Sequence, residues 1–153
     1  NSKKDKLIIC ISNPTSHKKR YKELKKKLNF KDLNPIVDKN VIIKNNVKLD
    51  KNTIILSGTD LGPNVKIEKN VFIGVNCIIN HDSKIEKFTT VGHGSNIAGN
   101  TKIEENCFIG ISSTIKNNLV IRKNVFIGSS SNVIKNCEPN SVYFGNPARK
   151  QKK

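Results

Sequence analysis

From Val37 onward every sixth residue is an aliphatic: Val37, Ile43, Leu49, Ile55, Leu61, Ile67, Ile73, Ile79, Ile85, Val91, Ile97, Ile103, Ile109, Ile115, Ile121, Ile127 and Val133. Four residues after such an anchor stands a small or aliphatic side chain, as at Thr53, Val71, Cys77, Ser83, Thr89, Ser95, Thr101, Cys107, Ser113, Val125 and Ser131. A strand sends successive side chains to opposite faces, so two inward positions with one outward residue between them make a short strand. Val71 inward, Phe72 outward and Ile73 inward is one example. The other two residues of each hexad must turn the chain. The second of them is Asn at 46, 52, 64, 70, 76, 100, 106, 118, 124 and 136. Asn tolerates the left-handed conformation that a sharp corner needs.

A period of eighteen lies over the period of six. The residue after the inward aliphatic is Gly at 74, 92, 110 and 128, and Glu at 68, 86 and 104. Three hexads therefore make one coil of a triangular prism, and residues eighteen apart stack at the strand spacing of about 4.8 Å. The predicted fold is all-β: a parallel β-helix over residues 37–138, with three strands per coil. Amphipathic helices would show a period of 3.6, and a sandwich would show irregular turns, so neither produces this register. Ahead of the prism, residues 1–36 read as a βα segment. "LIICISN" is its strand, and Ser16 to Leu28 is a basic helix with Tyr21, Leu24 and Leu28 on one side and His17 near its start. His17 and the lysine run read as an exposed helix face. Residues 139–153 form an irregular tail.

The outward residues distinguish the three faces. One carries Lys48, Lys66, Lys84 and Lys102 beside Asp50, Glu68, Glu86 and Glu104, a solvated ion ladder of individually weak pairs. A second carries Phe72, Phe108 and Phe126 beside the glycines, and the third Ile78, Asn96, Thr114 and Asn132. An outward column of phenylalanines calls for cover by another surface. Self-association through the two uncharged faces is expected, with a homotrimer as its form.

Composition narrows the picture further. The chain has 153 residues, no Trp and no Met, and begins at Asn1, which points to a piece of a longer polypeptide. The apolar run "LIICI" is too short for a signal-peptide core or a membrane span, so a cytoplasmic protein without membrane insertion is expected. Cys10, Cys77, Cys107 and Cys137 form no CxxC pair, so neither a metal site nor a redox motif is signalled, and packed, reduced thiols are expected. A formal charge of +16 suits nucleic acid or anionic small molecules. Lysines that alternate with glutamates, without interleaved aromatics, speak against nucleic acid.

One polar pair stands out against the repeat. In "INHDSKIEKF", His81 and Asp82 occupy a turn. Such a pair is either two solvated corner residues or a general base with its orienting carboxylate. Gly99 lies eighteen residues on, so the register places it on the same corner, one coil along. A base and an amide donor about one strand spacing apart can flank one reacting carbonyl.

Hexads of this kind resemble those of the hexapeptide-repeat acyltransferases, whose fold is a left-handed β-helix. Within that superfamily "INHDSKIEKF", "GSNIAGNTKIEENCFIGISSTI" and "FGNPARK" look like the bacterial sugar acetyltransferases that acylate sialic acids or 4-amino-sugar nucleotides. The similarity covers about residues 37–150. It implies acetyl transfer from acetyl-CoA to an amine or hydroxyl of a sugar, in particular a nucleotide-linked 4-amino-6-deoxy sugar of surface-glycan synthesis. The family's histidine base and acidic neighbour fall on His81 and Asp82, and the glycine whose amide meets the thioester falls on Gly99. Coenzyme-contacting backbone falls on Ile111 and Ser129, and the "GNPA" turn, with Gly145, Pro147 and Ala148, corresponds to the segment near the adenine. Arg149 and Lys150 are candidates for the coenzyme phosphates.

Several positions depart from the family. Thr90, a coenzyme contact by the resemblance, stands where relatives carry a histidine, and His93 where they have a small apolar residue. Relatives also begin with a Rossmann-like domain, of which residues 1–36 resemble only a later strand and helix. The resemblance leaves the acceptor sugar, and N- versus O-acetylation, open. Two alternatives remain. One is a non-catalytic oligomerisation or scaffold domain. The other is a γ-class carbonic anhydrase, which needs three histidines on zinc, whereas only His81 and His93 lie in the prism.

Overall fold

The computed structural model describes residues 14–28 and 30–151. Their backbone winds into a left-handed parallel β-solenoid of about six turns. An eight-stranded sheet begins at Ile36–Val37 and carries the phenylalanines; a six-stranded sheet begins at Ile42–Ile43; a five-stranded sheet begins at Lys48–Leu49 and carries the lysines. We call them the aromatic, neutral and lysine sheets. Register follows the eighteen-residue period, with Phe72 opposite Thr90, Ile79 opposite Ile97 and Lys66 opposite Lys84.

The anchors from Ile55 to Val133 are buried and, with Val65, Val71, Cys77, Cys107, Val125 and Cys137, form one continuous core. Each fully buried Ile or Val contributes roughly 1.5–3 kcal/mol of transfer free energy. The inward hydroxyls are also satisfied: Thr59, Ser95 and Ser113 donate to the carbonyls of Gly74, Gly110 and Gly128 at 2.9 Å. Cys77, Cys107 and Cys137 are free and buried, and burial pushes the thiols of Cys107 and Cys137 up to about 12. Cys10 and the strand read in "LIICISN" lie outside the described residues. Among those residues no helix is long and apolar enough to cross a membrane.

The corners show why Asn recurs. The second turn residue adopts positive φ at most corners, between 54° and 61° at Asn46, Asn52, Asn64, Asn70, Asn76, Asn100, Asn106, Asn118 and Asn124. Side-chain amides of successive coils also link, as from Asn100 Nδ2 to Asn118 Oδ1 at 2.8 Å.

Five expectations need correction. Ile43, read as inward, is 47% exposed, because no described coil lies beneath the first. Asn136, read as a corner, has no positive φ; the last coil is two residues shorter at that corner, so Ile121 pairs with Cys137 and Ile127 with Tyr143, and Asn140 takes the left-handed slot of the next corner, stacked on Asn124. His17, read as exposed, is 7% exposed, and its ring stands edge-on to Phe88. Helix α1, Pro14–Leu28, docks through His17 and Tyr21, while Leu28, assigned to the same side, faces solvent. The ion ladder, finally, occupies only part of its face. Lys84 meets Glu68 and Glu86, Lys102 meets Glu86 and Glu104, and Arg122 meets Glu104, all within 3.6 Å. Among the described residues no carboxylate pairs with Lys48 or Lys66 in this way.

Candidate functional site

His81 and Asp82 form the turn between the neutral and lysine sheets. Asp82 takes the left-handed slot at φ 58°, which elsewhere on this corner belongs to Asn64 and Asn100. Asp is one of the few residues that occupies it readily. Its Oδ2 lies 2.8 Å from His81 Nδ1, and its Oδ1 accepts from Asn64 Nδ2 at 3.0 Å. Asn64 Oδ1 in turn accepts from Asn46 Nδ2 at 3.2 Å. The hydrogen bond from His81, followed by that from Asn64, holds the Asp82 carboxyl below the usual carboxylate range. An ionised Asp82 accepts the Nδ1 proton, and this tautomer leaves the Nε2 lone pair free to take another.

That second nitrogen lies over Gly99. A Cβ built on Gly99 would stand 2.4 Å from His81 Nε2 and 2.7 Å from Cε1, so the ring covers the Cα of the next coil and only glycine leaves room for it. Asn100 N–H donates to the carbonyl of His81 at 2.8 Å, whereas the N–H of Gly99 donates to no acceptor among the described residues. Imidazole and carboxylate are solvent-accessible, at 61% and 50% side-chain exposure. The corner therefore combines an accessible base, a carboxylate behind it and an amide donor beside it.

The other expected positions occupy a different corner, between the aromatic and neutral sheets. Ile111 and Ser129 stack there, and their N–H groups likewise have no acceptor among the described residues. Gly92 and Gly110 permit this approach: a Cβ on either would lie 2.7 Å from Ile111 N or 2.5 Å from Ser129 N. Gly145 to Ala148 continues the column. The loop is pinned to the last strand of the neutral sheet by Asn132 N to Gly145 O at 3.0 Å, Asn132 Nδ2 to Asn146 Oδ1 at 3.1 Å and Ala148 N to Asn132 O at 2.8 Å. Arg149–Lys150 pairs antiparallel with Val142–Phe144, and Lys150 is engaged with Glu138. His93 belongs to this column too, and its Nδ1 accepts from Val75 N–H at 2.9 Å. The structure thus brings His81, Asp82 and Gly99 together, and Ile111, Ser129 and Gly145–Ala148 together, with the neutral sheet between the two groups.

Thr90 joins neither group. It lies between Phe72 and Phe108 in the aromatic sheet, is 2% exposed, and its Oγ1 has no hydrogen-bond partner among the described residues. The side chain expected near the coenzyme is thus enclosed within the aromatic sheet.

Asn64 and Asn46 were missed as parts of the site. The signal was arithmetic, because 64 is 82 minus 18, but an Asn at this position reads as turn chemistry in every other coil. A groove of about 500 Å³ adjoins the same corner, lined by Asn46, Val47, Lys48, Asn64, Lys66 and Asp82.

Comparison with known proteins bears on the fold. The family described as the hexapeptide repeat of succinyl-transferase matches residues 64–101 and 100–123. No curated protein sequence matches the chain. Among solved structures, PerB from Caulobacter crescentus, in complex with CoA and GDP-perosamine, superposes with a TM-score of 0.89 at 17% identity, over 95% of this chain and 70% of that one. The acetyltransferase domain of PglB from Neisseria gonorrhoeae FA1090 superposes with a TM-score of 0.87 at 16% identity, over 94% of this chain and 69% of that one. WeeI from Acinetobacter baumannii AYE gives a TM-score of 0.69 at 24% identity, over 94% and 69%. The chain carries hexapeptide repeats and shares the fold of these proteins.

Proposed function

We propose that the protein transfers the acetyl group of acetyl-CoA to an amine or hydroxyl of a nucleotide-linked sugar. The observation that carries this reading is the corner itself: Nδ1 of His81 against Asp82 at 2.8 Å, with the other face of the ring over Gly99. Support comes also from the ligands named for structures of the same fold, CoA with GDP-perosamine for PerB and acetyl coenzyme A for the PglB domain.

In the proposed reaction the acceptor nitrogen or oxygen attacks the thioester carbonyl carbon while His81 Nε2 takes its proton. Asp82 balances the imidazolium that forms. The negative charge growing on the thioester oxygen is met by the Gly99 N–H, a donor that needs no reorganisation at that moment. The tetrahedral intermediate then collapses, the carbon–sulfur bond breaks, and the CoA thiolate leaves and recovers the proton from His81. Ile111, Ser129 and the Gly145–Ala148 turn supply backbone donors and shape for the coenzyme. A neutral sheet separates that strip from His81 within one chain, and exposed apolar residues flank it, among them Ile78, Ile111, Phe126 and Phe144. A homotrimer packed through the uncharged faces sets the strip of one copy beside the His81 corner of the next.

Incubation with acetyl-CoA and a panel of amino-sugar nucleotides, following free thiol release, tests the reading. Acceptor-dependent release is expected; a panel that yields none, with no acetyl-CoA binding by calorimetry, leaves a scaffold as the answer.

A further inference from the structure

The lysine sheet divides into two electrostatic regimes. From Lys84 onward each cation meets at least one carboxylate of its own or a neighbouring coil. In the first two coils the pattern stops. Asp50, the carboxylate nearest in sequence to Lys48, accepts from its neighbour Lys51 N–H at 2.7 Å. Lys48 and Lys66 are paired in strand register, both exposed, and among the described residues neither has a carboxylate within ion-pair distance. They line the groove of about 500 Å³ that runs to Asp82. This volume is typical of small-ligand clefts.

We propose that Lys48 and Lys66 form a diphosphate-binding site, and that its occupant is the diphosphate of the acceptor. The source of the ligand rests on the acetyl-transfer reading above; the anion chemistry does not. Two ammonium groups on strands about 4.8 Å apart suit an anion with two charged centres joined by a bridging oxygen. Lysine serves such groups as a mobile point charge. Asp82 closes the groove on the side of the base, and a carboxylate there repels phosphate while leaving the neighbouring space to neutral hydroxyl and amino groups. A sugar attached to a diphosphate at Lys48 and Lys66 therefore extends over the corner towards His81, one to two strand spacings further on.

Coenzyme A also carries a diphosphate, so its source must be distinguished. Ile111, Ser129 and Gly145–Ala148 lie on another corner and in coils after His81, whereas the groove lies in coils before it. The axis thus has a donor end and an acceptor end.

Calorimetric titration of the full chain with inorganic pyrophosphate, UDP and acetyl-CoA tests the proposal. Both lysines are exposed, so K48Q/K66Q should fold with an unchanged circular dichroism spectrum and Tm. The expected result is pyrophosphate and UDP binding that weakens tenfold or more in the double variant, with acetyl-CoA affinity unchanged. Raising salt from 50 to 200 mM should weaken binding to the wild type more than to the variant. Pyrophosphate binding that is absent from the wild type, or unaffected by the substitutions, overturns the site. An equal loss for acetyl-CoA overturns its assignment to the acceptor. If pyrophosphate binding depends on the lysines while acetyl-CoA does not bind at all, the site stands and the acetyl-transfer reading falls.

Discussion

Two corners of the same prism carry opposite kinds of residue in the same backbone slot. On one, Asp82 at φ 58° holds His81; on the other, Phe88 at φ 61° is buried beneath helix α1. Asp adopts this conformation readily, and its carboxylate completes a hydrogen-bonded chain from Asn46 through Asn64 to the imidazole. A bulky aromatic does not, and the strain is about 1–3 kcal/mol. It persists because His17 and Tyr21 meet the Phe88 ring edge-on and Lys18 lies 5.9 Å from its centroid. The repeat thus dictates the shape of each corner, and the residue in the left-handed slot sets what surrounds it: an amide ladder, the proposed chemistry or a docked helix.

The sharpest test of this contrast is on the chemical corner. His81→Ala should fold with an unchanged Tm, because the side chain is exposed, and lose acetyl transfer by roughly two to four orders of magnitude. Near-normal turnover would show that the ring is a turn residue only. Phe88→Ala should act in the reverse sense. It should destabilise by about 3 kcal/mol, read from denaturant midpoints, and expose helix α1 to limited proteolysis, while the folded protein keeps its turnover per molecule.

Gly99→Ala comes next. The new methyl pushes the imidazole off the Cα, so turnover should fall roughly tenfold or more with little change in Tm, because the displaced group is a mobile side chain. Asn64→Gly keeps the positive φ accessible and removes the hydrogen bond to Asp82. A loss of severalfold is expected, with the limb of the pH–rate profile that reports the base displaced; an unshifted profile would make Asn64 a ladder residue only.

The smallest effect belongs to the docking corner and to pH. Burial lowers the His17 pKa from its ordinary 6.5. Below that value the unfolded chain binds a proton that the folded chain resists. Stability contributed by neutral His17 is therefore present above pH 6.5 and declines as pH falls towards the depressed folded value. Unfolding midpoints at pH 7.5 and 5.5 should differ more in the wild type than in His17→Phe.

What could be read from the sequence was the periodic part. The anchors, the three faces and the stacking of His81 against Gly99 follow from counting in sixes and eighteens, and the anchors are buried from Ile55 to Val133. The misjudged positions are those where a side chain answers to something outside its own coil. His17 is buried by Phe88, and Ile43 has no described coil beneath it. A hexad specifies a side chain's direction and leaves open what lies on the far side. The divided lysine face is a similar case, because lysine and carboxylate positions alternate along its length, while pairing depends on which carboxylates already have other partners.

The shortened last coil shows how the solenoid tolerates change. Two residues are missing between Val133 and Cys137, yet Cys137 still finds Ile121 and Tyr143 still finds Ile127. Among the described residues no further complete turn stacks above, so the slip disturbs nothing beyond it. The same deletion in the middle would put every later residue out of step with its neighbour below. Engineering this protein is therefore a matter of whole turns: eighteen-residue blocks can be grafted or removed, trimming belongs at the ends, and single insertions in the middle should be the least tolerated of all.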